Sequence, residues 1–96
     1  MTPEGCIKRD VKYYLKLKGW FVFHNQQSAL SYPGITDLTA IKDGVVLWVE
    51  IKTPKSKLHA AQEIFKAEIE RHAGKYITVR SVEDLMRQLS GKGERA

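Results

Sequence analysis

Residues 37–52 read DLTAIKDGVVLWVEIK, two apolar-rich runs joined by Asp43-Gly44. Asp-Gly between such runs predicts a two-residue type I′ turn and therefore a β-hairpin. The turn also sets the register. Lys42 faces Val45, Ile41 faces Val46, Thr39 faces Trp48 and Asp37 faces Glu50. Opposed residues share one face of a sheet, and so do residues two apart. Asp37, Glu50 and Lys52 therefore project together from the open end of the hairpin. The other face carries Leu38, Ala40, Val45, Leu47, Val49 and Ile51, an apolar surface expected to line the core.

Like charges directly opposed destabilise a sheet, so Asp37 facing Glu50 points to a bound cation. Hard oxygen ligands with no Cys or His cluster nearby favour Mg²⁺ or Mn²⁺ over zinc. Lys52 reaches the same spot. A lysine beside a metal and a scissile phosphate orients or helps deprotonate the attacking water and stabilises charge on the phosphorus oxygens. The plainer account is that the two carboxylates flank solvent-exposed ends of an edge hairpin, with Lys52 as their salt-bridge partner.

Upstream, residues 3–18 predict a helix. Thr2 suits the N-cap, Pro3 the first helical position, and Ile7, Val11, Tyr14 and Leu15 form the buried stripe. Glu4, three residues before Ile7 and seven before Val11, falls on that stripe rather than on the solvent face; a first-turn glutamate also favours the helix dipole. Residues 20–25 read as a strand and 26–35 as a polar loop with a turn at Pro33-Gly34. Downstream, Thr53-Pro54 ends the hairpin, and residues 58–73 form a second amphipathic helix on the stripe Leu58, Ala61, Phe65 and Ile69. Gln62 sits inward among them. Residues 75–79 predict a strand, and Ser81 with Asp84 a capping box that opens a last helix. The order is α-β-β-β-α-β-α, an α/β domain over residues 1–90 with a flexible tail at 91–96. Helices are expected on both sides of a mixed central sheet, the crossover after Glu50 being right-handed if its strands are parallel.

Length and charge bound the function. Ninety-six residues hold one small core. The longest apolar run, Val45 to Val49, is far short of the ~20 residues that span a bilayer, and no N-terminal segment reads as a signal peptide. The single cysteine, Cys6, excludes an internal disulfide framework and fits a reducing cytoplasm. The net charge of +5 favours a polyanionic partner only weakly. Its distribution says more: residues 1–18 carry +3, 19–51 carry −2, 52–80 carry +4 and 81–96 balance. An acidic centre between basic flanks suits a cation site framed by phosphate contacts. Lys55 and Lys57, directly after the site, are better placed for such contacts than Lys16 or Lys18. His24, His59 and His72 lack metal-like spacing and read as surface or edge residues.

The run Pro33-Gly34-Ile35-Thr36-Asp37, then Gly44, then Trp48 to Lys55, then Gln62 resembles the PD-(D/E)XK nucleases. More narrowly it is similar to their VRR-NUC branch, whose usual ending Gly74-Lys75-Tyr76 and Val79 to Leu85 also match. The resemblance covers about residues 4–89 and implies a restriction-endonuclease-like fold. It implies Asp37 and Glu50 as metal ligands, the backbone carbonyl of Ile51 as a further ligand and Lys52 as the catalytic lysine. Glu4 would match the acidic residue of the first helix that helps bind metal or water, and Gln62 the glutamine that supports the site. Thr36 departs from the proline that often precedes the aspartate, a change expected to affect strand entry rather than ligation. Gly5, a poor helix former, loosens the placement of Glu4.

These features together predict an Mg²⁺-dependent endodeoxyribonuclease, able to use Mn²⁺, of the stand-alone viral or phage type. Members without a recognition domain resemble Holliday junction resolvases, which implies branched DNA as substrate and a homodimer that sets two sites on two strands. The alternatives are a flap or nicking nuclease, an accessory module of a replication or packaging complex, and a non-catalytic nucleic-acid-binding module.

Overall fold

The computed structural model describes residues 1–90; the tail assigned to 91–96 lies outside the described residues. The elements are α1 (Pro3–Leu17), β1 (Phe21–His24), β2 (Leu38–Lys42), β3 (Val45–Ile51), α2 (Ala60–Arg71), β4 (Lys75–Val79) and α3 (Val82–Ser90). The strands form one sheet in the order β1-β2-β3-β4. β1, β2 and β3 run antiparallel, while α2 carries the chain from β3 over to a parallel β4.

Local chemistry accounts for the boundaries. Thr2 caps α1 by accepting a hydrogen bond from the Gly5 N–H at 3.0 Å, with Pro3 next in the chain. The hairpin turns on Asp43 and Gly44 at φ 49° and 82°, the two left-handed residues a type I′ turn requires. Lys42 pairs with Val45 and Leu38 with Val49, as the turn dictates. The Ser81 hydroxyl accepts from the Asp84 N–H at 3.0 Å. The Asp84 carboxylate reaches one residue further back than a capping box would, to the Arg80 N–H at 2.9 Å.

The two sheet faces are covered differently. On one, Val11 and Leu15 of α1 and Leu85 of α3 pack on Val22, Leu38, Ala40, Leu47, Val49, Ile51 and Val79, forming the core. On the other, α2 covers β3 and β4, where Phe65 meets the edge of Trp48 at 5.5 Å and tilts against Tyr76 at 6.4 Å. Trp48 thus packs beneath a helix. The β1 end of that face stays open, and Phe21 and Phe23 are exposed there with their rings 5.4 Å apart.

Three sequence expectations shift. Val45, placed on the core face, is exposed because it sits at the hairpin turn, beyond Ala40 and Leu47, the last buried β2–β3 pair on that face. Glu4, placed on the buried stripe, is exposed because the first turn of α1 precedes Ile7, where core packing begins. Helix α2 starts at Ala60 rather than 58, with His59 as its N-cap. Among the described residues no helix is long and apolar enough to cross a membrane.

Candidate active site

The open end of the hairpin faces the N-terminus of α2 across a polar cleft. Glu4, Asp37, Glu50, Lys52, His59 and Gln62 all line it, with residues 31–35 as its far wall. Asp37 lies one position before β2, at the end of the ladder. There its carbonyl still accepts from the Asn25 N–H at 2.9 Å, and its carboxylate Oδ2 accepts from the Ile51 N–H at 2.8 Å. The cross-hairpin bond ties Asp37 to the strand that carries Glu50, so the two carboxylates are held side by side. Both are buried, at 4% and 2% exposure.

Glu50 is the less comfortable of the two. Its Oε2 accepts from the Gln62 amide at 2.9 Å and lies 3.9 Å from the Lys52 ammonium. Its Oε1 is buried without any partner. Burial, and then the neighbouring Asp37 charge, push the Glu50 carboxyl up to about 8, with Lys52 pulling the other way. An ionised carboxylate with an unpartnered oxygen beside a second carboxylate is costly unless it gains a proton or a cation.

The donor set fits a hard divalent ion. Mg²⁺ is commonly held by one or two carboxylates, with water and substrate phosphate completing its shell. Among the described residues no group of three His, Cys, Asp or Glu side chains is assembled for a metal, so a closed all-side-chain cage, as structural zinc requires, is absent there. Glu4 sits in the wall of the cleft, exposed, and not as a third member of the carboxylate pair.

Gln62 performs two tasks at once. It is the third residue of α2, and its Oε1 accepts from the backbone N–H of His59 at 3.1 Å, satisfying one free donor of the helix start. With its oxygen so occupied, its NH₂ is left to face Glu50. The helix cap thereby orients the amide that supports the carboxylate.

Two residues of the site escaped the sequence reading. Lys8, one turn after Glu4 on α1, places its ammonium 3.4 Å from Asp37 Oδ1; the i,i+4 spacing from Glu4 was the available signal. Asn25 clamps the segment around Asp37. Its amide nitrogen donates to the Thr36 carbonyl at 3.1 Å and hydroxyl at 3.2 Å, and its oxygen accepts from Thr39 at 2.9 Å. Thr36 is fully buried, and its hydroxyl donates to the Leu38 carbonyl. These bonds hold the strand entry at Thr36, directly before Asp37. Replacing Asn25 with Ala removes three side-chain hydrogen bonds and is expected to cost about 1–3 kcal/mol. Urea unfolding would measure the loss, and an unchanged midpoint would show that Asp37 is held without the clamp.

Lys55 and Lys57 are exposed on the segment after β3 and do not line the cleft. That segment is braced from beneath, since the Arg80 guanidinium donates to the carbonyls of Thr53 and Ser56 at 2.7 Å each.

The carboxylate pair and Lys52 thus stand together at one end of a mixed sheet flanked by helices. Comparison with solved structures bears out the narrower resemblance in fold. A VRR-NUC domain superposes with a TM-score of 0.84 at 20% identity, over 95% of this chain and 98% of that one. The chain therefore has the fold of that VRR-NUC domain. No family model and no curated protein matches the sequence.

Proposed function

We propose that the protein is a metal-dependent DNA endonuclease whose site is the Asp37–Glu50–Lys52 cleft. The observation that carries this reading is the unpartnered, buried Oε1 of Glu50 beside Asp37. A carboxylate pair in this condition has an evident use when a cation and a phosphate enter the cleft. Asp37 and Glu50 would hold Mg²⁺ (or Mn²⁺), with the Ile51 carbonyl and Glu4, directly or through water, as further oxygen ligands. When bound, the ion supplies a more acidic water and neutralises charge on the phosphate.

The chain's own residues do the rest. Lys52, with its side chain 12% exposed, lines the cleft beside Glu50, where its amino group meets a phosphate oxygen. Gln62 fixes the Glu50 carboxylate. His59, at the N-terminus of α2, presents its imidazole and the positive end of a helix to an incoming anion. Lys55 and Lys57 extend that positive surface along the braced segment.

The substrate we propose is branched DNA, such as a four-way junction, cut by a homodimer in a bacterial or phage-infected cytoplasm. The exposed Phe21 and Phe23 of edge strand β1 give a second copy an apolar surface to cover. The test is incubation with Mg²⁺ on labelled junction, flap and linear duplexes. Junction cleavage is expected from the wild type and loss of it from Glu50→Ala and Lys52→Ala. Undiminished cleavage by purified Glu50→Ala would falsify this reading, and preferential cutting of flaps would move the substrate while keeping the site.

A further inference from the structure

Helix α1 carries lysines at every fourth position, Lys8, Lys12 and Lys16. With His24 of edge strand β1 they line one groove between the helix and the sheet edge. Lys8 is also the residue whose ammonium lies 3.4 Å from Asp37. Lys8 therefore joins the groove it lines to Asp37 of the cleft. Lys12 and Lys16 have no acidic partner within ion-pair distance among the described residues. Their positive charge is felt locally, because the His24 imidazole is held below its ordinary value by burial and then by Lys12 and Lys8.

Two unpaired lysines following Lys8 at one-turn spacing need a reason, since like charges one turn apart destabilise a helix. From Lys8 to Lys16 the helix rises about 12 Å, the axial length of three to four nucleotides of B-form strand. The row begins at the carboxylate pair and leads away from it. We propose that the Lys8–Lys12–Lys16 face of α1 is a phosphate track that holds the DNA strand flanking the scissile bond. The track rests on the nuclease reading of the cleft and names the protein surface that carries its substrate. Sequence order alone favoured Lys55 and Lys57 over Lys16; the helix instead places Lys16 in one groove with Lys8, whose ammonium reaches Asp37.

Lys12→Gln with Lys16→Gln tests the track without touching the cleft. Binding of a fluorescent junction is followed by anisotropy in EDTA, so that no cleavage intervenes, across salt from about 50 to 300 mM. The double variant is expected to bind roughly tenfold or more weakly and to lose about two units of the slope of log K against log salt. Lys66→Gln with Lys75→Gln removes the same charge elsewhere and is expected to leave the affinity within about twofold. The altered residues are polar and partly or fully exposed, and an unchanged melting curve confirms folding. Wild-type binding matched by the Lys12/Lys16 variant in affinity and slope overturns the track alone. Equal weakening by the Lys66/Lys75 variant also overturns it, because net charge then explains the effect. Failure of the wild type to bind DNA at any salt overturns the cleft reading together with the track.

Discussion

Metal-free protein carrying Glu50→Gln is expected to be more stable than the wild type at pH 8, although the change removes a residue at the centre of the cleft. The folded Glu50 carboxyl titrates at about 8, against 4.5 for the free group. Below pH 4.5 it is protonated in both folded and unfolded chains and contributes no difference. Between 4.5 and 8 the folded chain holds the proton more tightly, so stability falls as pH rises. Above 8 the whole penalty is present, on the order of 3–5 kcal/mol at about 1.4 kcal/mol per pH unit. A glutamine keeps the shape and does not titrate. Its oxygen accepts from Gln62 and its NH₂ offers Asp37 a donor in place of a repelling charge. The difference between variant and wild type should therefore be near zero at pH 4.5 and largest above pH 8. In a domain this size it amounts to a melting shift of at least ~10 °C. Millimolar Mg²⁺ should narrow the gap by stabilising the wild type alone, since a ligand that binds only the folded state adds to its stability. Parallel pH profiles of the two melting temperatures would show that Glu50 carries no such penalty.

Gly34→Ala is expected to be the most damaging single-methyl change in the chain. Gly34 has φ +79°, a conformation that costs an L-residue about 1–2 kcal/mol. A Cβ there would also overlap the backbone carbonyl of Ala61 and the amide of Gln62, neither of which can swing aside as a side-chain tip can. The loop that forms the far wall of the cleft and the first turn of α2 would have to separate. The hydrogen bond from Gln62 to Glu50 depends on where that turn sits, so support for the carboxylate should go with it. A loss of about 3 kcal/mol or more is expected. Gly44→Ala is the control. Its φ is +82°, but an added Cβ meets nothing within 4 Å, so only the left-handed penalty applies. Chemical denaturation of both variants separates close approach from backbone conformation. Equal losses at the two positions would mean that the loop and α2 are not in the contact described.

The residues that carry the nuclease resemblance are spread over most of the chain, and they were legible to different degrees. Asp37, Glu50 and Lys52 could be placed on one face because a two-residue turn admits a single register, and side chains in a strand alternate strictly. Gln62 could be placed inward because helical spacing puts it between Leu58 and Phe65. What it would bond to could not be read, since Glu50 is twelve residues away and the angle of α2 to the sheet depends on Phe65, Trp48 and Tyr76 packing together. Glu4 shows the limit of periodicity. The helical phase was right, but exposure depends on where the sheet ends, and the first turn of α1 extends beyond it.

Asn25 and Lys8 were invisible for the same reason. Nothing near Asn25 in the chain marks it as the clamp on Thr36 and Thr39, because those partners come from a neighbouring strand across a ten-residue loop. Lys8 looks like any solvated lysine until α1 packs across the sheet and brings it to Asp37. Short-range rules of turn, strand alternation and helical phase act between residues a few positions apart, and they were enough for the element order, the hairpin and the carboxylate pair. The cleft walls, the unpartnered oxygen of Glu50 and the groove along α1 that Lys8 joins to Asp37 exist only after distant segments pack. Their chemistry follows from distances that no stretch of sequence contains.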